Sequence, residues 1–318
     1  MASNNNRPLL VVHDDKEGHL VYDLLLLLLD GEAENDAAAA ALACFPRPVA
    51  HFAASLGLRA LAVSGGAVVG AFYRSTTSGA TPSSTTPLDT TLFDGHYAFE
   101  SLRPPVVTGA GGWQTVSLPK PPIVYADGGK ELVWVSAYFA VGTRVWISAA
   151  RKGTFSFDGT WRMEGRWELP FEGRALHVPE LGCVIGLAAG TRLLCAYDFV
   201  TGKPPVMRRV WTETCPEGCI YTSAGDESRP SRPRDVPSLA YLGNGRFCIC
   251  RPMSVMEPHP DNFGPPMKYN AASFLVVVLR RSGSGELELV RRGKTSFMCF
   301  PKSSQISYIG FIQPAISN

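Results

Sequence analysis

The stretch RVWISAARKGTFSFDGTWRMEGRW, residues 144–167, decides the fold. Three runs of strand-forming residues alternate in it with short turns that contain Gly153 and Gly159. Short alternating runs separated by glycine turns are typical of an antiparallel meander. The stretch therefore predicts three consecutive strands of one sheet, with Asp158 after the second strand and Trp167 at the end of the third. The predicted strands are 144–148, 154–157 and 161–167.

The same order of strands and turns returns in residues 183–211. Asp198 and Trp211 occupy the places of Asp158 and Trp167, at distances of 40 and 44 residues. Four-stranded blades of a β-propeller recur about every 40–50 residues. We expect each aspartate carboxylate to accept a hydrogen bond from the backbone N–H two residues further on. Each tryptophan is expected to cover one end of its repeat.

Further copies extend the repeat along the chain. Residues 246–291 show the pattern with insertions, and weaker strand-like runs lie before residue 100. Because one such sheet cannot bury both of its faces alone, consecutive sheets must stack on one another. We predict an all-β fold, a kelch-like β-propeller of five four-stranded blades, with six blades as the alternative count. The run Ile306–Ile312 is expected to pair with the N-terminal blade and close the ring; a β-sandwich and two separate β domains are the alternative folds.

We expect the whole chain, 1–318, to form a single β-propeller domain. The leucine run 24–29 is too short for a membrane span, which takes about 20 apolar residues. We interpret it as a buried strand that continues from 19–22. The segments expected outside the repeats are a disordered N-terminus at 1–7, a short helix or loop excursion at 32–43, and long loops at 213–235 and 252–270.

Composition argues against several classes of protein. The formal net charge is +2, and the sequence pI is about 8.1, so no concentrated basic charge points to a nucleic-acid partner. Arginine pairs such as Arg208-Arg209 are expected at exposed strand edges. Eight cysteines in an apolar chain of 318 residues indicate core thiols in a reducing compartment. We expect a monomer in the cytoplasm, the nucleus or both, with no membrane partner.

The sequence contains no motif that identifies a reaction. A nucleophile elbow, a P-loop and a zinc-protease helix are all absent from it, and no cofactor is expected. Cys215 and Cys219 are weak candidates for a metal site, because zinc takes four ligands and the second pair, Cys248 and Cys250, lies in a predicted strand at short spacing. A disulfide between Cys215 and Cys219 under oxidising conditions is the alternative, and loop thiols without a metal are the expectation.

Three runs resemble the core of one plant family: GTFSFD at 153–158, WELPFEGRA at 167–175 and LCAYD at 194–198. The family is a domain of unknown function, expanded in grasses and built of kelch-like propeller repeats. The likeness is densest over 115–312. The resemblance implies a propeller, and it carries no activity and no catalytic residue over to this chain.

Two classes of function fit these observations. Propellers hold variable loops on rigid blades, so we predict a non-catalytic scaffold that binds a protein partner through the loops 213–235 and 252–270. The alternative is a small-ligand-binding or enzymatic propeller that uses the central channel. The strand residues expected nearest that channel, Ile147, Ile185 and Ile249, are apolar, which favours the scaffold. The candidate partner contacts are Tyr221, Arg229, Arg232, Arg234, His259, Phe263 and Tyr269.

Overall fold

The computed structural model describes residues 8–14, 16–25, 28, 43–52, 59–62, 68–74, 96–103, 114–117, 119, 122, 135–214, 236–257, 267–301, 304 and 306–313. The fold is all-β, as predicted. The chain divides into two compact units. The first comprises Met1–Ala53 with Thr212–Phe311, and the second comprises Ala54–Trp211 with Ile312–Asn318. The prediction of one domain over 1–318 stays a prediction.

Strands make up most of the regular structure of the described ranges. In chain order they are β1 (Leu9–Asp14), β2 (Gly18–Asp23), β3 (Ala43–Cys44), β4 (Ala50–Phe52), β5 (Arg59–Ala62), β6 (Val68–Arg74), β7 (His96–Arg103), β8 (Gln114–Ser117), β9 (Val135–Val141), β10 (Arg144–Ala149), β11 (Gly153–Phe157), β12 (Trp161–Gly165), β13 (Phe171–Val178), β14 (Cys183–Ala188), β15 (Leu194–Asp198), β16 (Val206–Trp211), β17 (Ser238–Gly243), β18 (Arg246–Glu257), β19 (Met267–Arg281), β20 (Leu287–Cys299) and β21 (Ile306–Ile312). Pro179–Leu181 and Thr212–Thr214 form 3-10 turns.

Four-stranded sheets recur through the described chain. The strands β5–β8, β9–β12, β13–β16 and β17–β20 form four antiparallel meanders, each in sequence order. A further four-stranded sheet has the order β21-β1-β2-β4, so the C-terminal strand lies beside the N-terminal strand as predicted. The four meanders and the N-terminal group of strands belong to four sheets, of four, eight, five and four strands. The propeller, its number of blades and the closing of a ring stay predictions.

Two of the meanders are joined along their first strands. β9 and β13 run parallel, with Gly173 beside Ala137 and Arg174 beside Tyr138, so that β9–β12 and β13–β16 form one eight-stranded sheet. In the other unit, β3 adds to the outer side of β20, also in parallel. Each of these two-residue parallel pairings joins a meander to a strand that does not belong to it.

Each repeat begins one strand earlier than the sequence indicated. Ile147, Ile185 and Ile249 were expected on the strands nearest the axis, but they lie on β10, β14 and β18, the second strand of each meander. The preceding first strands, β9, β13 and β17, escaped the prediction. The turn between β9 and β10 is formed by Gly142 and Thr143, and Gly142 has a φ of +59°. A two-residue turn with glycine is a hairpin signal, so a local mark of β9 was present in the sequence.

The leucine run does not extend β2, so the buried strand predicted at 24–29 is wrong. β2 ends at Asp23, whose Oδ1 accepts a hydrogen bond from the Leu25 N–H at 2.9 Å. Leu24, Leu25 and Leu28 have helical backbone conformation, and Leu24 is fully buried. An aspartate side chain that binds the backbone two residues on is a helix-start signal, which ends the strand.

Both ends of the loop predicted at 252–270 are strand and need correction. β18 continues to Glu257 and β19 starts at Met267, and the two pair along their full length. The misleading residue is Pro252, which lies within β18. Beyond Cys250, β17 no longer pairs with β18, and a proline is tolerated where one strand edge is open. Residues 1–7, 32–42, 215–235 and 258–266 lie outside the described residues.

Each unit has an apolar core of its own. In the first unit, side chains of β1, β2, β17–β21 and the Phe45 segment pack together, with Leu10, Phe274 and Phe311 almost fully buried. In the second unit, the meanders β9–β12 and β13–β16 share one core. Its aromatic centre includes Phe139 stacked on Trp146 with ring centroids 5.1 Å apart.

The connection between β12 and β13, residues 166–170, is bound by the meander that precedes it. We call it the connecting strap. The Thr154 hydroxyl donates a hydrogen bond to the Trp167 carbonyl oxygen at 2.8 Å. The Leu169 N–H donates to the Ser148 hydroxyl oxygen at 3.1 Å. Both hydroxyl side chains are fully buried, so these bonds form away from water and an unpaired partner would be costly.

The second meander binds the same strap from its other end. The Pro170 carbonyl oxygen accepts hydrogen bonds from the Tyr197 hydroxyl at 3.2 Å and from the Ala189 N–H at 3.0 Å. Burial raises the pKa of Tyr197, so its hydroxyl keeps the proton that it donates. The strap is therefore a hydrogen-bonded part of both meanders.

Two glycines allow the strap to lie this close to β11 and β12. Gly153 has a φ of +94°, and a Cβ atom there would collide with the Gly165 carbonyl oxygen. A Cβ atom on Gly165 would collide with the indole ring of Trp167. The glycines of the GTFSFD and MEG runs are thus explained by backbone conformation and close approach.

Replacing Thr154 by valine tests the strap. The substitution keeps the shape of the side chain but removes the donor to the Trp167 carbonyl oxygen and the hydroxyl 3.2 Å from the buried Ser148 hydroxyl, which costs about 1–3 kcal/mol. We expect the free energy of unfolding, measured by urea denaturation, to fall by that amount. The exposed Thr191 is the matched control, and Thr191→Val should change stability by less than about 0.5 kcal/mol. Equal effects of the two substitutions would contradict the role given to Thr154.

The core of the first unit holds two thiols that are kept from ionising. Cys248 and Cys250 are both fully buried on β18. Burial raises the pKa of the Cys250 thiol from 9.0 to about 12, and it raises that of Cys248 well above 9.0. In the unfolded chain both thiols ionise near their ordinary pKa. The folded state is therefore favoured fully below pH 9 and loses this advantage as the pH rises toward 12.

We expect the free energy of unfolding to decline from pH 9 to 10.5, with each buried thiol contributing roughly 1 kcal/mol per pH unit. Cys250→Ala should make this decline shallower, because it removes one titrating group. Urea denaturation at several pH values measures the slope independently of any loss of packing. Cys44→Ala removes an exposed thiol and is the control, whose profile should run parallel to that of the wild type. A wild-type slope in Cys250→Ala would overturn the assignment.

Candidate interaction surface

The outer strand β16 presents apolar side chains to solvent. Val206, Met207 and Val210 are 64%, 47% and 37% exposed. β16 is the last strand of the eight-stranded sheet, and one of its edges pairs with β15. Its other edge faces no strand of the described ranges. An open edge with exposed apolar residues is a template on which another chain can pair.

The register with β15 sorts the side chains of β16 onto two faces. Met207 lies opposite Tyr197, and Val210 lies opposite Cys195, both of which are core residues. Met207 and Val210 therefore continue the core face outward to the open edge. Arg209 lies opposite Ala196 and projects from the other face. We refer to Val206, Met207, Arg209 and Val210 as the β16 edge surface.

The positive charge of this surface comes from exposed basic side chains, because an ion pair balances the charge of the bulged residue. The register shifts between Ala196 and Tyr197, which leaves Arg208 as the extra residue of β16. Arg208 Nη1 lies 3.6 Å from Asp198 Oδ1, so its charge is balanced locally. Arg209 and Lys203 are exposed. The net positive charge at this edge favours a partner with acidic side chains.

The two repeat aspartates bind arginines. Asp158 Oδ2 lies 3.0 Å from Arg144 Nη2 and 3.6 Å from Arg162 Nη2, and Asp198 pairs with Arg208. The predicted bonds from the backbone N–H two residues on are wrong. The reason is that each turn brings strand arginines within reach, and a charged donor binds a carboxylate more strongly than an amide does. These pairs hold the ends of β10–β12 and of β15–β16 together.

The first strand of the second meander, β13, carries buried and half-buried ionisable side chains. Arg174 is only 8% exposed, and its Nη2 donates to the Gln313 carbonyl oxygen at 2.7 Å. On the same strand, burial lowers the pKa of His177. That Ile147, Ile185 and Ile249 lie nearest a central channel stays a prediction.

The predicted contact and metal candidates fall almost wholly outside the described residues. Tyr269 lies in β19, and only its backbone is described. The candidates outside the described residues are Cys215, Cys219, Tyr221, Arg229, Arg232, Arg234, His259 and Phe263.

The β16 edge surface was missed because its sequence looks like a core strand. The run VMRRVW at 206–211 was correctly predicted as a strand, but exposure depends on its place at the end of the sheet. The arginine pair was the one usable signal, since charged side chains are common on edge strands. Arg209 is exposed as expected for such an edge.

In the described ranges, no group of three or more histidine, cysteine, aspartate or glutamate side chains is arranged to hold a metal ion. Within the same ranges, none of the helices has both the length and the apolar character needed to cross a membrane.

Comparison with known proteins identifies the family. No curated protein matches the chain. The family model described as a protein of unknown function, DUF1668, matches residues 81–297, which is more than half of the sequence. That range contains β7 to β19, most of β20, the connecting strap and the β16 edge surface. The chain belongs to the DUF1668 family.

Proposed function

We propose that this protein is a non-catalytic scaffold that binds a protein partner, and that its four-stranded repeats are the blades of a kelch-like propeller. Three features support the propeller. The four-stranded meander recurs in sequence order, the first strands β9 and β13 of consecutive meanders run parallel, and β21 completes the N-terminal sheet. Propellers combine sheets in this way and leave short edges exposed.

The observation that carries the binding role is the β16 edge surface. Three apolar side chains are exposed in one six-residue strand at a sheet edge. Such an edge costs solubility unless a partner covers it, and natural edges are usually shielded by charge or by another segment. Here β15, the neighbour of β16, is held by the bond of Tyr197 to the strap and by the core that the two meanders share. A rigid, open edge binds a partner without paying to order itself first.

The chemistry of the edge defines the partner. An extended peptide that pairs with β16 would form backbone hydrogen bonds along the strand, as in β-strand addition. Its side chains on one face would cover Met207 and Val210 and must be apolar. Those on the other face would meet Arg209 and should include aspartate or glutamate. We propose that the partner offers an extended segment in which apolar and acidic residues alternate.

Selection from a phage-displayed library of random peptides tests the proposal. We expect the wild-type protein to enrich peptides with alternating apolar and acidic residues. Met207→Asp/Val210→Asp should weaken binding of a synthetic selected peptide about tenfold or more, or about 1.4 kcal/mol, because it removes the apolar contact. Fluorescence polarisation measures the affinity. The exposed Val290 of β20 provides the control, since Val290→Asp should leave affinity unchanged.

Two variations distinguish strand addition at β16 from binding elsewhere. Arg209→Glu should shift the selected peptides from acidic to basic side chains, because it reverses the charge at the edge. N-methylation of the peptide backbone should abolish binding when the methyl groups are on the side that pairs with β16, and not when they are on the opposite side. Peptides that bind Met207→Asp/Val210→Asp as tightly as wild type would show that the scaffold uses another surface.

A further inference from the structure

Two cysteines lie side by side on neighbouring parallel strands. β3 pairs with β20 so that Cys44 is directly opposite Cys299. The Phe45 N–H donates a hydrogen bond to the Cys299 carbonyl oxygen at 3.1 Å, which fixes this register. The two residues are far apart in sequence, and only the fold brings them together.

The residues that directly follow the two strands, Phe45 and Phe300, are also in contact. Phe45 stacks on Phe300 with ring centroids 4.1 Å apart and an interplanar angle of 11°. Within β20, Met298 directly precedes Cys299 and belongs to the core cluster of the first unit. Because successive side chains of a strand point to opposite faces, Cys299 and its partner in the register, Cys44, lie on the other face. Phe300 belongs to the core cluster of the first unit. The two thiols therefore lie together on the side that faces away from that core.

Their accessibility differs in a way that suits sequential oxidation. Cys44 is exposed, whereas Cys299, opposite it on the neighbouring strand, is only 8% exposed. The structure holds both as thiols. Of the six cysteines described, Cys44 is the exposed one, and the other five are buried. An oxidant in solution would therefore reach Cys44 first, and its neighbour in the sheet would be the nearest thiol to react next.

We propose that Cys44 and Cys299 form a redox pair, which a peroxide oxidises to a disulfide that fastens β3 to β20. Neighbouring strands lie about 4.7–4.9 Å apart, within the span of about 4.4–6.8 Å between the Cα atoms of disulfides. The Cβ atoms of a disulfide lie closer together than those of an in-register pair, at about 3.5–4.5 Å. Closing that gap strains the bond and makes it easier to reduce, so the modification is reversible.

The chemistry proceeds in two balanced steps. The Cys44 thiolate attacks one oxygen of hydrogen peroxide, the O–O bond breaks, and Cys44 becomes a sulfenic acid while the other oxygen leaves as water. The Cys299 sulfur then attacks the Cys44 sulfur, the S–O bond breaks, and the sulfenic oxygen leaves as a second water. The two thiols lose two electrons and two protons, and one peroxide is reduced to two waters.

Mass spectrometry of the folded 318-residue chain tests the pair. The protein used carries Cys215→Ser and Cys219→Ser, so that these two thiols cannot contribute. A small excess of hydrogen peroxide followed by alkylation should produce a species lighter by about 2 Da, the two hydrogens lost, that resists alkylation at two sites. Digestion should yield one linked peptide containing Cys44 and Cys299. Because the bond closes most of the chain into a loop, the midpoint of thermal unfolding should rise by roughly 5 °C, and a reductant should reverse the rise.

Single variants decide between this pair and other oxidation. Cys44→Ser and Cys299→Ser should each abolish the linked peptide and the rise in unfolding temperature. Cys183→Ala, at a buried thiol of the other unit, should retain both. Cys44 is exposed, so its replacement should not disturb folding even if replacement of Cys299 does. In the protein with Cys215→Ser and Cys219→Ser, oxidation that stops at a sulfinic acid on Cys44, or that links any other cysteines, would overturn the proposal.

Discussion

The hydrogen bonds that hold the connecting strap are the constraint on which the second unit depends. A chain that passes from the outer strand of one meander to the first strand of the next must bury polar backbone on the way. Ser148 and Thr154 supply side-chain partners for that backbone on one side, and Tyr197 supplies one on the other. Because every one of these groups is buried or partly buried, losing one leaves a partner unsatisfied away from water. The two meanders thus share one core and one set of polar contacts.

Rigidity at the strap is transmitted to the outer strand. The Tyr197 hydroxyl of β15 donates a hydrogen bond to the Pro170 carbonyl oxygen of the strap, and β15 is the direct neighbour of β16. The Asp198–Arg208 pair adds a further contact at the end of that hairpin. As a result, the exposed side chains of β16 lie beside a strand, β15, that is packed into the core. An edge of this kind is suited to pairing with a partner whose own segment is extended and becomes ordered only when bound.

Some of this could be predicted from the sequence, and the reasons for success and failure are physical. Glycine turns and alternating side chains gave the positions of β10, β11, β14 and β16, because those signals are local. The first strands β9 and β13 were missed, although Gly142 and Gly182 mark the turns that follow them. Pro252 was read as a loop residue because the sequence does not show where β17 stops pairing.

The site was harder to predict than the fold, because exposure is decided by sheet order. Val206 and Met207 have the same character as core residues such as Val184, and only their place at the end of the sheet exposes them. The adjacency of Cys44 and Cys299 is likewise set by a two-residue parallel pairing between distant segments, which leaves no mark on the sequence around either cysteine.

Amide hydrogen exchange at Leu169 tests the central claim most directly. A connection that merely links two sheets would exchange at the rate of an open loop, whereas an N–H bonded to a buried hydroxyl is protected until the surrounding structure opens. The account predicts that the Leu169 amide exchanges as slowly as the core strands β14 and β15 that flank it in the same unit. Exchange at the rate of an unstructured peptide would show that the strap does not hold the two meanders together.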